Sequence, residues 1–251
     1  MTMIRTEERD GVRVLHMEFG SANALSPRVA EAMISALAGD PVPTVLTGAG
    51  KVFSAGLNLV ELAPYDRDAM AGFVERFSVL MTQTLTVRYP LVAAVNGHAV
   101  AGGCVLGMAC DYRVGTSGPY KIGMNEIAIG LTLPAIVTEI LRGKLSAEHA
   151  RTVILGCALY TPEEAAQVGL LDEVADSADA AIERATRVAR ELGHAPAEFA
   201  AMKGTLVAPI TERFRQTREA LDHRFVESWF GQAATQLRQE MIARLTAAKD
   251  T

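Results

Sequence analysis

Glu126 stands in "YKIGMNEIAIG" (120–130), with Ile122, Met124, Ile127 and Ile129 around it. Apolar surroundings disfavour the charged form of a carboxylate and raise its pKa toward that of a useful base. A glutamate at an exposed edge, or one capping a helix, would do no chemistry, and the segment alone fits either role. Two further stretches share a pattern of a short apolar strand followed by glycine and small residues: "VLTGAGKVFSAGLNL" (45–59) and "AAVNGHAVAGGCVLG" (93–107). Such turns leave backbone N–H groups unpaired, and two of them aimed at one point make an oxyanion hole. Ala55, Gly56, Gly102 and Gly103 are the residues concerned. The same small residues also serve close helix–strand packing, the simpler explanation of the pattern alone.

Other chemistries find no residues to carry them. "GAGKV" lacks the phosphate-loop spacing and has Val52 where Ser or Thr should follow the lysine, and "AGGCVLG" is not a dinucleotide fingerprint. Neither HExxH nor GxSxG occurs, and the histidines at 16, 98, 149, 194 and 223 are scattered. Neither a bound metal nor a serine nucleophile is expected.

These residues need a scaffold. "VRVLHMEF" (12–19), "PTVLTG" (43–48), "LVAAVNG" (91–97) and "DYRVGT" (111–116) predict strands. Helices are predicted from Ser26-Pro27, over about 66–88, and over 102–109, the last short and buried. Alternating strands and helices argue for an α/β fold with parallel sheet. From about Ser146 the strands are expected to stop, with helices in "SAEHARTVILG", "TPEEAAQVG", "DAAIERATRVARELG" and the run from Thr211 to Ala248. The expected organisation is an α/β core over 1–145 and a helical region over 146–251, whose "FVESWF" (225–230) offers bulky apolar residues for subunit contacts.

Composition sets the remaining bounds. A chain of 251 residues, 49% hydrophobic and 21% charged, has the make-up of a globular protein with a sizeable core. A net charge of −5 without a long basic run points away from nucleic acid. The nearly uncharged stretch 91–110 is interrupted by Asn96, Gly97 and His98, which suits a strand, a turn and a buried helix better than a membrane span. Three cysteines without a CxxC pair, and no apolar signal core in "MTMIRTEERDG", lead to the expectation of a cytoplasmic protein with reduced thiols.

Five stretches in order, "NAL" (23–25), "FSAGLNL" (53–59), "AVNGHAVAGGCVLGMACDYRV" (94–114), "IGMNEIAIGL" (122–131) and "TPEEAAQVGLLDEV" (161–174), resemble the crotonase (enoyl-CoA hydratase/isomerase) superfamily along nearly the whole chain. The resemblance implies a core of repeated ββα turns and a helical C-terminal region that builds trimers, often paired into hexamers. It implies a CoA thioester substrate and no separate cofactor. The thioester oxygen would rest on the N–H groups of Ala55 and Gly102, with Gly56, Leu57, Gly103, Val105 and Asn125 at the substrate.

Hydratases of this family carry two glutamates that hold and activate a water. The first falls at Val105, which cannot do so, and the second at Glu126. One base suits a proton shuttle, and the sequence is similar here to the mitochondrial type of Δ3,Δ2-enoyl-CoA isomerase, acting in fatty-acid oxidation. Three features depart from the usual pattern: Asn58 replaces the usual Asp, "GLTLPAIVTEIL" (130–141) lacks the GxGG run of hydratases, and the chain is compact between Ser35 and Val45. For the CoA phosphates only Lys51 and Arg13 suggest themselves. Hydration or decarboxylation of a CoA thioester, a non-catalytic acyl-CoA-binding protein, and a structural oligomer with a closed pocket remain as alternatives.

Overall fold

The structure is a computed structural model describing residues 3–247. It opens with a hairpin, β1 (Ile4–Arg9) and β2 (Val12–Met17), paired antiparallel. Its turn residues Asp10 and Gly11 both have positive φ, the twist that a two-residue hairpin requires. Helix α1 (Pro27–Leu37) follows, with the Ser26 hydroxyl accepting the Val29 N–H and proline in its first turn.

Three ββα units then repeat. The first is β3 (Thr44–Gly48) and β4 (Val52–Ser54), followed by the single turn α2 (Leu59–Leu62) and the long α3 (Arg67–Thr86). Next come β5 (Leu91–Val95), β6 (His98–Val100) and α4 (Gly102–Ala109), then β7 (Tyr112–Thr116), β8 (Ile122–Gly123) and α5 (Ala135–Lys144). In each unit the first strand joins a six-stranded sheet and the second a four-stranded one. The uncharged stretch around Asn96 is therefore two strands and a helix. No helix among the described residues is long and apolar enough to cross a membrane.

The helical region contains more than helices. After α6 (Ala147–Gly156) come β9 (Leu159–Tyr160), α7 (Pro162–Gln167) and β10 (Glu173–Ala175). The expectation that strands stop near Ser146 is corrected: β10 extends the large sheet parallel to β7, and β9 pairs antiparallel with β8. Both are two or three residues long, too short for a periodic signal. The remaining helices are α8 (Ala178–Leu192), α9 (Pro196–Trp229) and α10 (Gln232–Ala247). The predicted continuous run from Thr211 is thus two helices broken at Phe230-Gly231, and its last residue, Ala248, lies outside the described residues.

Strands β3 and β5 are buried at every position because the sheet is covered on both faces. One face, with Val14, Val45, Val92 and Val114, meets Ala181, Ile182, Ala185, Val188 and Ala189 at helical spacing on α8. The opposite face meets α1, α3 and α4 in the main core. Buried ion pairs fasten α9: Lys203 to Asp111 at 2.7 Å, and Arg213 to the fully buried Glu139 at 2.8 Å. Phe225, Val226 and Trp229 are buried in this chain's own core, which corrects the expectation that "FVESWF" supplies subunit contacts.

Candidate active site

Asn96 brings the two glycine turns together. Its Oδ1 accepts the Gly48 N–H at 2.9 Å and its Nδ2 donates to the Gly50 carbonyl at 2.8 Å, tying the β5–β6 turn to the β3–β4 loop. A parallel bridge between Leu25 and Leu57 fixes the next segment: Leu25 N–H donates to Gly56 O, and Asn58 N–H to Leu25 O. In that pattern the N–H of Leu57 points away from its bridge partner. Among the described residues it has no partner, and neither has the N–H of Gly102, the first residue of α4. The two turns touch, since a Cβ on Gly56 would lie 3.2 Å from the Gly102 nitrogen. Gly56 is held at φ +83°, where a side chain would be strained.

The small residues serve close packing at one position and leave an N–H unpaired at another. A Cβ on Gly103 would overlap the Ser54 carbonyl, so that glycine serves close packing of α4 on β4. Gly102 starts the helix with a free donor. Ala101, before it, sits at φ 53° and ψ −125°, a costly conformation for a residue with a side chain. That conformation turns the chain from β6 into α4.

The assignment of Ala55 as a donor is corrected. Its N–H is spent on the Ala22 carbonyl at 3.0 Å, and the free donor of the "FSAGLNL" turn is Leu57, two residues on. Val105 is also corrected: it is fully buried within α4 and does not line the cleft, so it offers neither acid nor water ligand there. Arg13 donates to Thr44 Oγ1 at 3.2 Å and stacks on Tyr89, which removes it as a candidate for the CoA phosphates. Asn58 keeps a structural role, capping α2 by accepting the Glu61 N–H.

Ala55, Leu57, Gly102, Asn125 and Glu126 line one cleft of about 650 Å³, part of it open to solvent; Gly56 and Gly103 do not line it. The other described lining residues are apolar, and six of them come from four helices: Phe73, Val74 and Phe77 of α3, Val137 of α5, Phe225 of α9 and Met241 of α10. Sequence reasoning missed these six, because an apolar residue facing a cleft has the same spacing as one facing the core. Asn125 and Glu126 are the only polar side chains among the described lining residues.

Glu126 precedes a single 3-10 turn, Ile127–Ile129, without capping it through its side chain. Its Oε2 is buried with no hydrogen-bond partner. Burial pushes the carboxyl up to about 7, against the opposing pull of the Glu126 and Asn125 backbone N–H groups. A carboxylate of this strength beside two free N–H donors, in an apolar cleft, can move a proton next to a carbonyl whose oxygen the donors hold.

The family model described as enoyl-CoA hydratase/isomerase matches residues 7–245. Mitochondrial enoyl-CoA delta isomerase 1 of Mus musculus is 35% identical over 124 residues, 49% of this chain and 43% of the relative. The 2,3-dehydroadipyl-CoA hydratase of Escherichia coli is 31% identical over 163 residues, 64% of this chain and 62% of the relative. The chain thus spans less than two thirds of either protein. The solved structure of human mitochondrial delta3-delta2-enoyl-CoA isomerase superposes with a TM-score of 0.89 at 25% identity, covering 98% of this chain and 99% of that one. With the ββα repeats, the paired glycine turns and Glu126 in the cleft they form, this chain belongs to the enoyl-CoA hydratase/isomerase, or crotonase, family.

Proposed function

We propose that the protein is a Δ3,Δ2-enoyl-CoA isomerase of fatty-acid oxidation that works with one glutamate. The observation that carries this reading is that Glu126 is the single carboxylate among the described residues lining the cleft. Glu126 removes a proton from C2 of a 3-enoyl thioester, and the dienolate oxygen rests on the N–H groups of Leu57 and Gly102. Protonated Glu126 then delivers the proton to C4. The double bond moves from C3–C4 to C2–C3 and no water is consumed. The apolar walls suit an unsubstituted acyl chain, which needs no polar partner.

Hydration is the competing reaction. It needs a water fixed against C3 and a group to manage its protons, and Val105 supplies neither. Asn125 lines the cleft and its amide can hydrogen-bond a water, so hydration is expected at a low rate. Both reactions are followed on one preparation by the absorbance of the conjugated thioester, using a panel of 2- and 3-enoyl-CoA substrates. The expected result is isomerisation at least tenfold faster. Faster hydration would replace the isomerase reading with the hydratase one, and binding of CoA thioesters without turnover would favour an acyl-CoA-binding protein.

We place the protein in the cytoplasm, a location supported by its three free cysteines. We further infer a homotrimer or a pair of trimers. In place of the buried "FVESWF", the support is two exposed apolar side chains: Ile127 is 53% exposed and Leu155 66%, on segments joined by the Ala128–Cys157 hydrogen bond. Light scattering at micromolar concentration should give three or six chain masses, and a single-chain mass refutes it.

A further inference from the structure

We propose that the helical C-terminal region positions Glu126, with Cys157 at the end of α6 and Ser228 on α9 as positioning residues that fix the turn carrying the carboxylate. This rests on Glu126 being the base. Between β8 and α5 the chain has no regular structure except the 3-10 turn Ile127–Ile129. Glu126 borders two spaces, the cleft and a second one of about 740 Å³, part of it open to solvent, lined in part by Met124, Ile127, Thr132, Leu221 and Arg224. Packing holds the flanks of this turn, with Met124 and Leu131 buried in the main core, and leaves the Glu126 side chain facing open space.

Hydrogen bonds from distant elements add to this packing. The Ala128 N–H, two residues past Glu126, donates to Cys157 Sγ at 3.1 Å. The Thr132 N–H donates to Ser228 Oγ at 3.1 Å, and that hydroxyl donates to Phe225 O at 2.8 Å, so the acceptor is itself held. Upstream, β9 pairs with Ile122 and Gly123, directly before Met124. Cys157 adopts φ 52°, the left-handed conformation that ends α6 and sends the chain into β9. The turn is gripped at both ends by residues that lie roughly 30 and 100 positions further along the chain. Misplacing a catalytic group by about 1 Å costs on the order of 10²-fold in rate.

The test compares Cys157→Ala, Ser228→Ala and the double variant, with Cys157→Ser as the conservative rescue. For each, kcat, KM and the pH profile of kcat/KM are measured, and the Glu126 carboxyl is titrated by ¹³C NMR. The expected result is a loss in kcat of about tenfold for each single variant and on the order of 10²-fold for the pair. KM should stay within about twofold. The carboxyl should titrate at lower pH in the pair as it gains access to water, and Cys157→Ser should recover most of the lost rate. A folded double variant with unchanged kcat and unshifted titration overturns the proposal. So does a rate loss that only follows the folded fraction, and the single variants decide the matter if the pair does not fold. Full turnover in Glu126→Gln would instead defeat the assignment of the base, while the NMR titration still reads whether the tethers hold the carboxyl.

Discussion

Glu126→Gln is expected to lower kcat by roughly 10²–10⁴-fold, the usual weight of a general base. The amide keeps the shape of the side chain and loses the lone-pair basicity, so CoA binding should persist. Stability should move the other way. Burial disfavours the charge of the folded carboxyl and pushes its pKa up to about 7 from an ordinary value of 4.5. A group whose folded pKa is raised favours the folded state below its unfolded pKa. That advantage is lost as pH rises from about 4.5 to 7, and above 7 the wild type carries the whole penalty. Glutamine carries none, so the variant should be more stable than wild type at pH 8, by on the order of 1–3 kcal/mol, with the gap closing near pH 4. In the wild type, kcat/KM should fall as pH drops through 7, since only the ionised form accepts a proton. Denaturant titrations at both pH values and a pH–rate profile check the three statements. Near-normal turnover in the variant removes Glu126 from the mechanism.

What the sequence revealed of this protein depended on how each feature is encoded. Helix starts were legible because capping is local chemistry: Ser26-Pro27 begins α1, and Asp66 accepts the Ala69 N–H at the start of α3. The sheet strands β2, β3, β5 and β7 were legible as β-branched apolar runs, because both faces of the sheet are covered. Strand β1 was not, since "IRTEER" is largely exposed at the sheet edge and its charges read as loop. Strands β9 and β10 owe their conformation to partners far away in the chain. The threefold ββα repeat shows fully only in topology; in the residues it leaves the strand-then-glycine pattern shared by the first two units and absent from the third, because each unit meets different neighbours.

The site divides in the same way. Glu126 was legible as an acid among apolar residues, and the turns as glycines after strands. Which N–H in "FSAGLNL" stays free was not legible, because that depends on the pairing of Leu25 with Leu57 and of Ala55 with Ala22. A backbone donor has no side-chain signature, and its availability is decided by whatever takes the neighbouring donors.

That difference between two residues of one turn gives the second large expected effect. Replacing Leu57 by its α-hydroxy analogue turns one amide into an ester. The change deletes the N–H and leaves side chain and backbone shape nearly as they were. The thioester oxygen would lose one of its two donors while negative charge is building on it. Loss of one oxyanion donor commonly costs roughly 10²–10³-fold in kcat, with KM little changed because the bond matters most in the transition state. The same exchange at Ala55 deletes only the bond to the Ala22 carbonyl. That should cost about 1 kcal/mol of stability, typical of an ordinary backbone hydrogen bond, and leave kcat of the folded protein nearly unchanged. The two esters share the chemistry of the change and the turn in which it is made, so backbone softening is common to both and cancels in the comparison. Equal losses at the two positions would show that the turn tolerates no ester. A larger loss at Ala55 would return the donor role to that residue and require its N–H to leave Ala22 when substrate binds. A large loss at Leu57 alone identifies the second donor beside Gly102.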